Sequence, residues 1–412
     1  MSRHRRPEDF PLPTVRSELP IADSHLFDDL LPPEAAFELT AGLRRHLDPY
    51  VGVTENGTPR PGLYRLDGAG TSPHSAVKAA QVYLEGLAPH QRVVGALPMD
   101  APEWRLWTNA IPTWHPKGMR LERLAADDRE RALAVVEASL SPAGYAQVRT
   151  AMALNENLGE LIDDYRDTLT EFAYWFTVFG TPSADSPWGW QLMGHHVDLH
   201  CVFVGGQTVL APVFLGAEPA TGTGRFEGLH AFGDETDVGL AFRRTLEPDR
   251  ENEFLLGSSL RAEDLPPELA GPWNGRHLAG AGSDNLILPP EGIVAASLAP
   301  DQRDGLVELI RVYLERLPAP QAERTLALVR EHFDQTRFAW RGGHDDECAF
   351  YYRVHSPVLL VEYDNHPGVF LTNSEPARFH VHTIVRAPNG NDYGRDLLAQ
   401  HYRLHHSGQG AG

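Results

Sequence analysis

Apolar residues recur every three or four positions in several stretches of the chain, and this period predicts amphipathic helices. The first stretch is 75–87, and the second is 124–141, which opens with two aspartates that favour a helix start. A third stretch, 158–180, ends at Gly180, and glycine is a common helix stop. We therefore predict that the region from about 74 to 180 is helical.

The apolar period changes from that of a helix to that of a strand after residue 187. The segment 195–219 reads as two strands around Gly205-Gly206, which predicts a β-hairpin. The alternation returns in 348–366 and again in 379–388. These stretches are rich in β-branched and aromatic residues, which suits strands.

Further helical periods occupy about 234–256, 300–316 and 320–335, and a last amphipathic helix covers 394–406. Helices and strands are thus segregated rather than strictly alternating. This order predicts an α+β fold, with a helical N-terminal half packed on a largely antiparallel β-sheet system. No internal repeat is evident in the sequence.

The domain organisation follows from these patterns. Residues 1–70 read as an N-terminal extension with a helical start and a turn-rich loop. Residues 71–406 read as a single α+β domain, helical over 74–180 and mixed over 187–406. Residues 407–412 read as a disordered tail.

Composition narrows the class of protein. The 412 residues are 42% hydrophobic and 22% charged, as in ordinary soluble globular proteins. A net charge of −20 argues against nucleic acid and anionic membranes as partners. The basic N-terminus is followed by no apolar segment, so a cytoplasmic location is expected. Two cysteines exclude a disulfide framework.

Histidines supply the first candidate chemistry. In the segment 187–206 two adjacent histidines precede an apolar run. If this run is a strand, His196 shares one face with Asp198 and His200, while His195 lies on the other face. On a helix, His196 and His200 would again be neighbours. Either geometry allows these two to converge, and His195 joins only from the end of the element.

A second histidine pair, His380 and His382, is spaced two positions apart. On a strand both imidazoles lie on one face, together with Arg386, and could lean towards one metal ion. The alternative is a solvated strand face. Glu362 interrupts a buried run, where a carboxylate is costly unless it is paired, hydrogen-bonded or metal-bound. An ion pair with Arg353 or Arg386 is the alternative to a role in chemistry.

Several uncommon blocks, among them PWGWQLMGHHVDL, FYYRVHSPVLLVEYDN and HVHTIVRAPNGNDYG, carry a resemblance. From about Trp107 to the last helix, the chain resembles the family of uncharacterised proteins DUF3500. The resemblance implies a polar signature with these members: His195, His196, His380, His382, Arg386, Asp392, Tyr393 and Gly394. Position 200 departs from it, because asparagine is usual where this chain has His200.

The patterns that would indicate other enzyme classes are missing, including the nucleophile elbow, the phosphate-binding loop and the dinucleotide fingerprint. We therefore expect a metal-dependent enzyme acting on a small, anionic organic substrate. The expected ligands of a zinc, iron or copper ion are His195, His196, His200, His380 and His382. The expected catalytic residues are Glu362, Arg386 and Asp392. An iron or copper oxidoreductase with the same ligands and a non-catalytic binding protein remain the alternatives.

Overall fold

The structure is a computed structural model that describes residues 12–16, 48–67, 73–111, 117–270 and 276–405. The helical start expected in the N-terminal extension and the expected disordered tail both lie outside these residues. No helix in the described part of the chain has the length and apolar character needed to cross a membrane.

The described helices match the periods predicted at 75–87, 124–141, 300–316, 320–335 and 394–406. The period predicted over about 234–256 is divided between two helices, and the described residues of 96–125, expected to be helical, contain no α-helix. The described helices are α1 (His74–Gly86), α2 (Pro89–Gly95), α3 (Ala126–Ser139), α4 (Pro142–Leu161), α5 (Gly233–Thr245), α6 (Glu251–Phe254), α7 (Pro267–Ala270), α8 (Pro300–Leu314), α9 (Ala319–Glu331) and α10 (Arg395–His405). The helix predicted for 158–180 is wrong. Helix α4 starts after Ser141, whose hydroxyl accepts from the Gly144 N–H. It ends at Leu161, and a strand occupies the end of the predicted segment.

The described strands form one mixed sheet. They are β1 (Ala96–Leu97), β2 (Met119–Arg120), β3 (Tyr174–Gly180), β4 (Trp188–Gly194), β5 (Val197–Val204), β6 (Gln207–Ala217), β7 (Leu255–Gly257), β8 (Ile293–Val294), β9 (Arg337–Gly342), β10 (Phe350–His355), β11 (Leu360–His366) and β12 (Ala377–Arg386). The strand order is β1-β3-β4-β5-β6-β12-β11-β10-β9-β7, with β2 beside β3 and β8 beside β9. The α+β prediction is confirmed, and the predicted hairpin and later strands share this sheet.

The strand pairings reveal an internal repeat that the sequence does not show. In the first unit β1 pairs parallel and β2 antiparallel with β3, and β3 to β6 form a meander. In the second unit β7 pairs parallel and β8 antiparallel with β9, and β9 to β12 form the same meander. Two helices precede the third strand of each unit. The units join where β6 pairs antiparallel with β12.

The two faces of the sheet differ in character. One face packs against the helices through aromatic residues: Trp190 donates to the Ser139 hydroxyl on α3, and Tyr352 bonds the Tyr313 hydroxyl on α8. Because side chains alternate along a strand, the neighbouring positions form the opposite face. We call this opposite face the polar face. It carries these buried residues: Gln191, His200, Arg353, Glu362, Asp364, His382 and Arg386.

Connecting segments cover the polar face, so its polar groups are buried. The segment 276–284 lies over β11 and β12, where Leu278 and Ala279 donate backbone N–H bonds to Glu362. The segment that follows β1 lies over the first unit, where Gln191 donates to the Trp104 carbonyl. Buried polar groups are costly unless they find partners. A buried polar group on this face that lacks a hydrogen-bond partner is therefore a candidate functional group.

Candidate metal centre

The first histidine pair forms a turn rather than part of a strand. Strand β4 ends at Gly194 and β5 begins at Val197, so His195 and His196 are the two connecting residues. His196 has a φ of 62°, a conformation that is uncommon for a residue with a side chain. The expectation that His196 shares a strand face with Asp198 and His200 is wrong, because a turn residue does not follow the alternation of the strand.

The turn nevertheless brings His196 to the second histidine pair. Its ring centroid lies 5.4 Å from that of His380 and 5.3 Å from that of His382, and these two are 4.7 Å apart. One potential ligand atom of each residue lies within 4.8 Å of the others. The spacing of His380 and His382 on β12 works as predicted, since both side chains emerge from the same face. Together, the three imidazoles could hold a metal ion.

A glycine provides the space for this approach. Gly216 on β6 lies directly opposite His382 in the sheet. A Cβ at this position would lie 2.9 Å from His382 Cδ2 and 3.1 Å from His196 Cδ2, both closer than ordinary contact. Glycine within a strand often marks such a close approach. The two rings can therefore lie over the strand only because residue 216 has no side chain.

Hydrogen bonds define which ring nitrogen of His380 is available. Its Nδ1 lies 2.8 Å from the carbonyl oxygen of Pro367. A carbonyl only accepts, so Nδ1 carries the proton and Nε2 keeps its lone pair. That Nε2 is buried and has no hydrogen-bond partner among the described residues. An imidazole held through one nitrogen with the other unengaged is the arrangement usual for a metal ligand.

Burial keeps these imidazoles neutral. It lowers the pKa of His196 and His380 well below the usual value, and the neighbouring histidines lower both further. Burial also lowers the pKa of His382, although the nearby Asp364 carboxylate opposes this. Neutral imidazole is the form that binds metals. The centre is thus ready to accept a cation at neutral pH.

His195 lies beside this group. Its ring stacks on His196 at 3.9 Å, and its Nδ1 donates to Asn155 Oδ1 at 2.8 Å. Burial lowers its pKa to about 3, and His382 adds to the effect. Among the described residues, His195 does not belong to either set of converging ligand atoms. Its position suits a ring that fixes the orientation of His196.

Two further residues of the centre escaped the sequence analysis. Asp364 on β11 lies opposite His382, with Oδ2 3.5 Å from His382 Nδ1, and its Oδ1 lies 2.9 Å from His277 Nδ1. Together His277, Asp364 and His382 form a second set of converging ligand atoms. Although burial raises the pKa of Asp364, the adjacent His382 and His277 hold it well below its usual range. Asp364 could have been found, because it lies two positions after Glu362 and therefore on the same face of the strand. His277 lies in a covering segment whose sequence shows neither a helix period nor a strand period.

His366 also lies near the centre. Its ring centroid is 4.8 Å from that of His380 and 5.2 Å from that of His382. Its Nδ1 donates to the same Pro367 carbonyl at 2.7 Å. One carbonyl oxygen therefore orients two neighbouring imidazoles.

His200 occupies a different environment. Its Nε2 bonds the Gln191 amide at 2.8 Å, and its Nδ1 donates to the Pro212 carbonyl at 2.9 Å. Trp107 and Tyr393 surround the ring, with centroid distances of 5.3 and 5.1 Å. Both nitrogens are engaged within the protein. The expected role of His200 as a metal ligand therefore receives no support from the geometry.

Glu362 holds a covering segment. Its carboxylate accepts from the backbone N–H groups of Leu278 and Ala279 and from the Tyr351 hydroxyl. The Arg353 guanidinium donates to the same hydroxyl, so the expected ion pair is replaced by a tyrosine link. These bonds fix the backbone immediately after His277. The contacts of Glu362 support a positioning role, and its predicted catalytic role stays a prediction.

Arg386 and Asp392 belong to a buried ion-pair network. Arg386 donates from Nε to Asp392 and from Nη2 to Asp284, each at 2.8 Å, and Nη1 donates to the Ala279 carbonyl. Arg105 also donates to Asp284. Arg386 lies four positions beyond His382 on β12, which places its Cα roughly 13 Å away. The network joins covering segments to the sheet, and a catalytic role for Arg386 and Asp392 stays a prediction.

Comparison with curated proteins gives no match, and comparison with solved structures gives none either. A comparison with protein families does give a match: the family described as "Protein of unknown function (DUF3500)" matches residues 69–395. That range includes all the strands of the described sheet and all the candidate ligand positions. It covers most of the 412 residues. The chain therefore belongs to the DUF3500 family.

Proposed function

We propose that this protein is a metal-dependent enzyme that acts on a small organic substrate, with a metal ion held by His196, His380 and His382. The observation that carries the proposal is the buried His380 Nε2, which has no partner among the described residues and lies with two other neutral imidazoles. An unpaired buried polar atom is costly. A bound cation would satisfy it.

The internal repeat supports a functional reading of the histidines. The connection between β4 and β5 in the first unit consists of His195 and His196. The corresponding connection in the second unit, between β10 and β11, is formed by residues 356–359, Ser-Pro-Val-Leu. The second unit therefore makes the corresponding connection with a longer segment that contains no histidine. Folding alone does not explain the crowding of imidazoles in the first unit.

The donor set indicates the class of ion. Imidazole nitrogens suit zinc, iron and copper, whereas calcium and magnesium prefer oxygen ligands. When bound, such an ion would supply Lewis acidity or activate water, because three imidazole ligands leave it a further coordination position. The chain contributes the orientation of the imidazoles through Pro367 and Asp364. Burial excludes bulk water and strengthens electrostatic interactions.

The substrate is proposed only as a small organic molecule. An anionic substrate was expected because Arg386 could bind it, but the donors of Arg386 are already engaged by carboxylates and a carbonyl. The cytoplasmic location inferred from the sequence also stays a prediction, which cell fractionation would test.

The test is the metal content of protein purified without a histidine tag, measured by mass spectrometry beside activity on a panel of small esters, lactones and oxidisable substrates. We expect a transition metal in stoichiometric amount, and activity that is lost on chelation and restored by the same metal. Stoichiometric zinc favours hydrolysis, and a redox metal favours the oxidoreductase alternative. A protein that holds no transition metal contradicts the proposal, and one that holds metal without metal-dependent turnover supports the binding-protein alternative.

A further inference from the structure

We infer that the centre takes two metal ions, which share His382 through the two nitrogens of its ring. The inference rests on the proposed function and extends it. His382 belongs to both sets of converging ligand atoms, one with His196 and His380 and the other with His277 and Asp364. No other described residue belongs to both sets. A single ion uses only one of these sets.

The orientation of the His382 ring separates the two sets. Its Cδ2 edge lies over Gly216, as does the Cδ2 edge of His196. Cδ2 is bonded to Nε2, so this edge faces the first set. Nδ1, at the other side of the ring, lies 3.5 Å from Asp364 Oδ2. That Nδ1 is buried and makes no hydrogen bond to any described residue. Each nitrogen is therefore directed towards a different group of donors.

The second set has the composition of a cation site. Asp364 supplies an ionised carboxylate, and its Oδ1 holds His277 Nδ1 at 2.9 Å. The backbone N–H of Arg276 donates to Asp364 Oδ2, and Glu362 fixes the next two residues. His277 is thereby held against the sheet by two carboxylates. A carboxylate and imidazoles in this arrangement suit a first-row transition metal.

Sharing one imidazole has a defined chemical consequence. A neutral imidazole carries one proton and offers one lone pair, so it binds one ion. To bind two ions, His382 must release its remaining proton to solvent, and its two nitrogens then each donate a lone pair. Two cations flanking the ring stabilise the resulting anion. When His277 Nδ1 becomes a ligand, the proton of that ring moves to Nε2, so the one proton released on binding of the second ion comes from His382.

The experiment is a titration of the metal-free, untagged protein with Cu²⁺, in which bound metal and released protons are counted and the paramagnetic resonance spectrum is recorded. We expect two ions per chain and an exchange-coupled spectrum, because the shared imidazolate joins the two copper ions. His277→Ala and Asp364→Asn should each bind one ion with an uncoupled spectrum. His196→Ala should also bind one, and His382→Ala should lose tight binding of both.

His355→Ala is the matched control. His355 is another buried histidine, and its Nδ1 has no partner in the described part of the chain, but it belongs to neither ligand set. This variant should still bind two ions. Asp364→Asn keeps an oxygen that can accept from Arg276, and circular dichroism establishes that each variant is folded. If His277→Ala fails to fold, the stoichiometry of the wild type and of Asp364→Asn decides.

The outcomes separate the two proposals. One ion per wild-type chain, unaffected by His277→Ala and abolished by His196→Ala, overturns the shared site and leaves the proposed function standing. Two ions without magnetic coupling overturn the bridge. No tightly bound ion overturns both proposals.

Discussion

Substituting Gly216 by alanine should weaken metal binding without removing a ligand. The added Cβ would lie 2.8 Å from the Val381 carbonyl oxygen, 2.9 Å from His382 Cδ2 and 3.1 Å from His196 Cδ2. The carbonyl belongs to the central strand β12 and has little freedom to move. The two imidazoles must therefore shift by some tenths of an ångström, away from the geometry that lets them share an ion.

The size of the effect follows from comparable perturbations. Extra volume in a packed interior costs about 1–3 kcal/mol of stability. Disturbing the groups that orient metal ligands lowers affinity about 10- to 100-fold. Such a loss corresponds to about 1.4–2.8 kcal/mol of binding free energy. The dissociation constant for Zn²⁺, measured by competition with a chromophoric chelator, should therefore rise about 10- to 100-fold. Thermal unfolding of the metal-free protein measures the packing cost.

Gly189→Ala is the matched control. Gly189 lies on β4 of the same sheet, and its Cβ would meet the Cys201 carbonyl and Trp104 Cη2, the latter at 2.9 Å. It should therefore lose stability while its affinity for Zn²⁺ stays within about twofold of the wild type, a change of less than 0.5 kcal/mol. The reasoning is refuted if Gly216→Ala binds Zn²⁺ like the wild type, or if both variants lose affinity equally.

Three further outcomes are expected. Burial lowers the pKa of His196 and His380 below the ordinary value of 6.5, so both imidazoles stay neutral in mild acid. Metal occupancy measured against pH should therefore fall only well below pH 6.5. Loss of half the metal near pH 6.5 would indicate solvated ligands. Arg386→Ala leaves Asp392 buried without its counter-charge, so urea unfolding should show a loss of about 3–5 kcal/mol, while metal bound per folded chain is unchanged; loss of metal from the folded variant would restore a direct role for Arg386. His200→Ala removes the partner of one Gln191 amide N–H and of the Pro212 carbonyl, and should cost about 1–3 kcal/mol with unchanged metal content; a large drop in metal would return His200 to the ligand set.

The sequence predicts strands β5, β6 and β10 to β12, but not the remaining strands, the turns or the covering segments. His380 and His382 converge because β12 keeps the alternation of a strand throughout. The link from His196 to this pair was predicted, but the turn that creates it was missed, since adjacent histidines carry no turn signal. The helix predicted for 158–180 includes strand β3 because apolar residues lie on both faces of this strand and hide its period of two.

Contacts that use backbone groups account for most of the remaining misses. The partners of Glu362 are mainly N–H groups of a distant segment, and no pattern of side chains announces them. His277 reaches the centre because that segment is fixed at Glu362 and Asp364. The repeat was missed for a similar reason. It lies in the order of strand pairing and not in a recurring pattern of residues.

The most direct test of the metal centre is anomalous diffraction from crystals of the protein loaded with Zn²⁺, recorded on both sides of the zinc absorption edge. The account predicts a peak at about 2.0–2.1 Å from a ring nitrogen of each of His196, His380 and His382, the distance of a zinc–imidazole bond. Zinc-saturated crystals with no peak at these three residues, or with zinc bound only at other residues of the chain, would contradict the account.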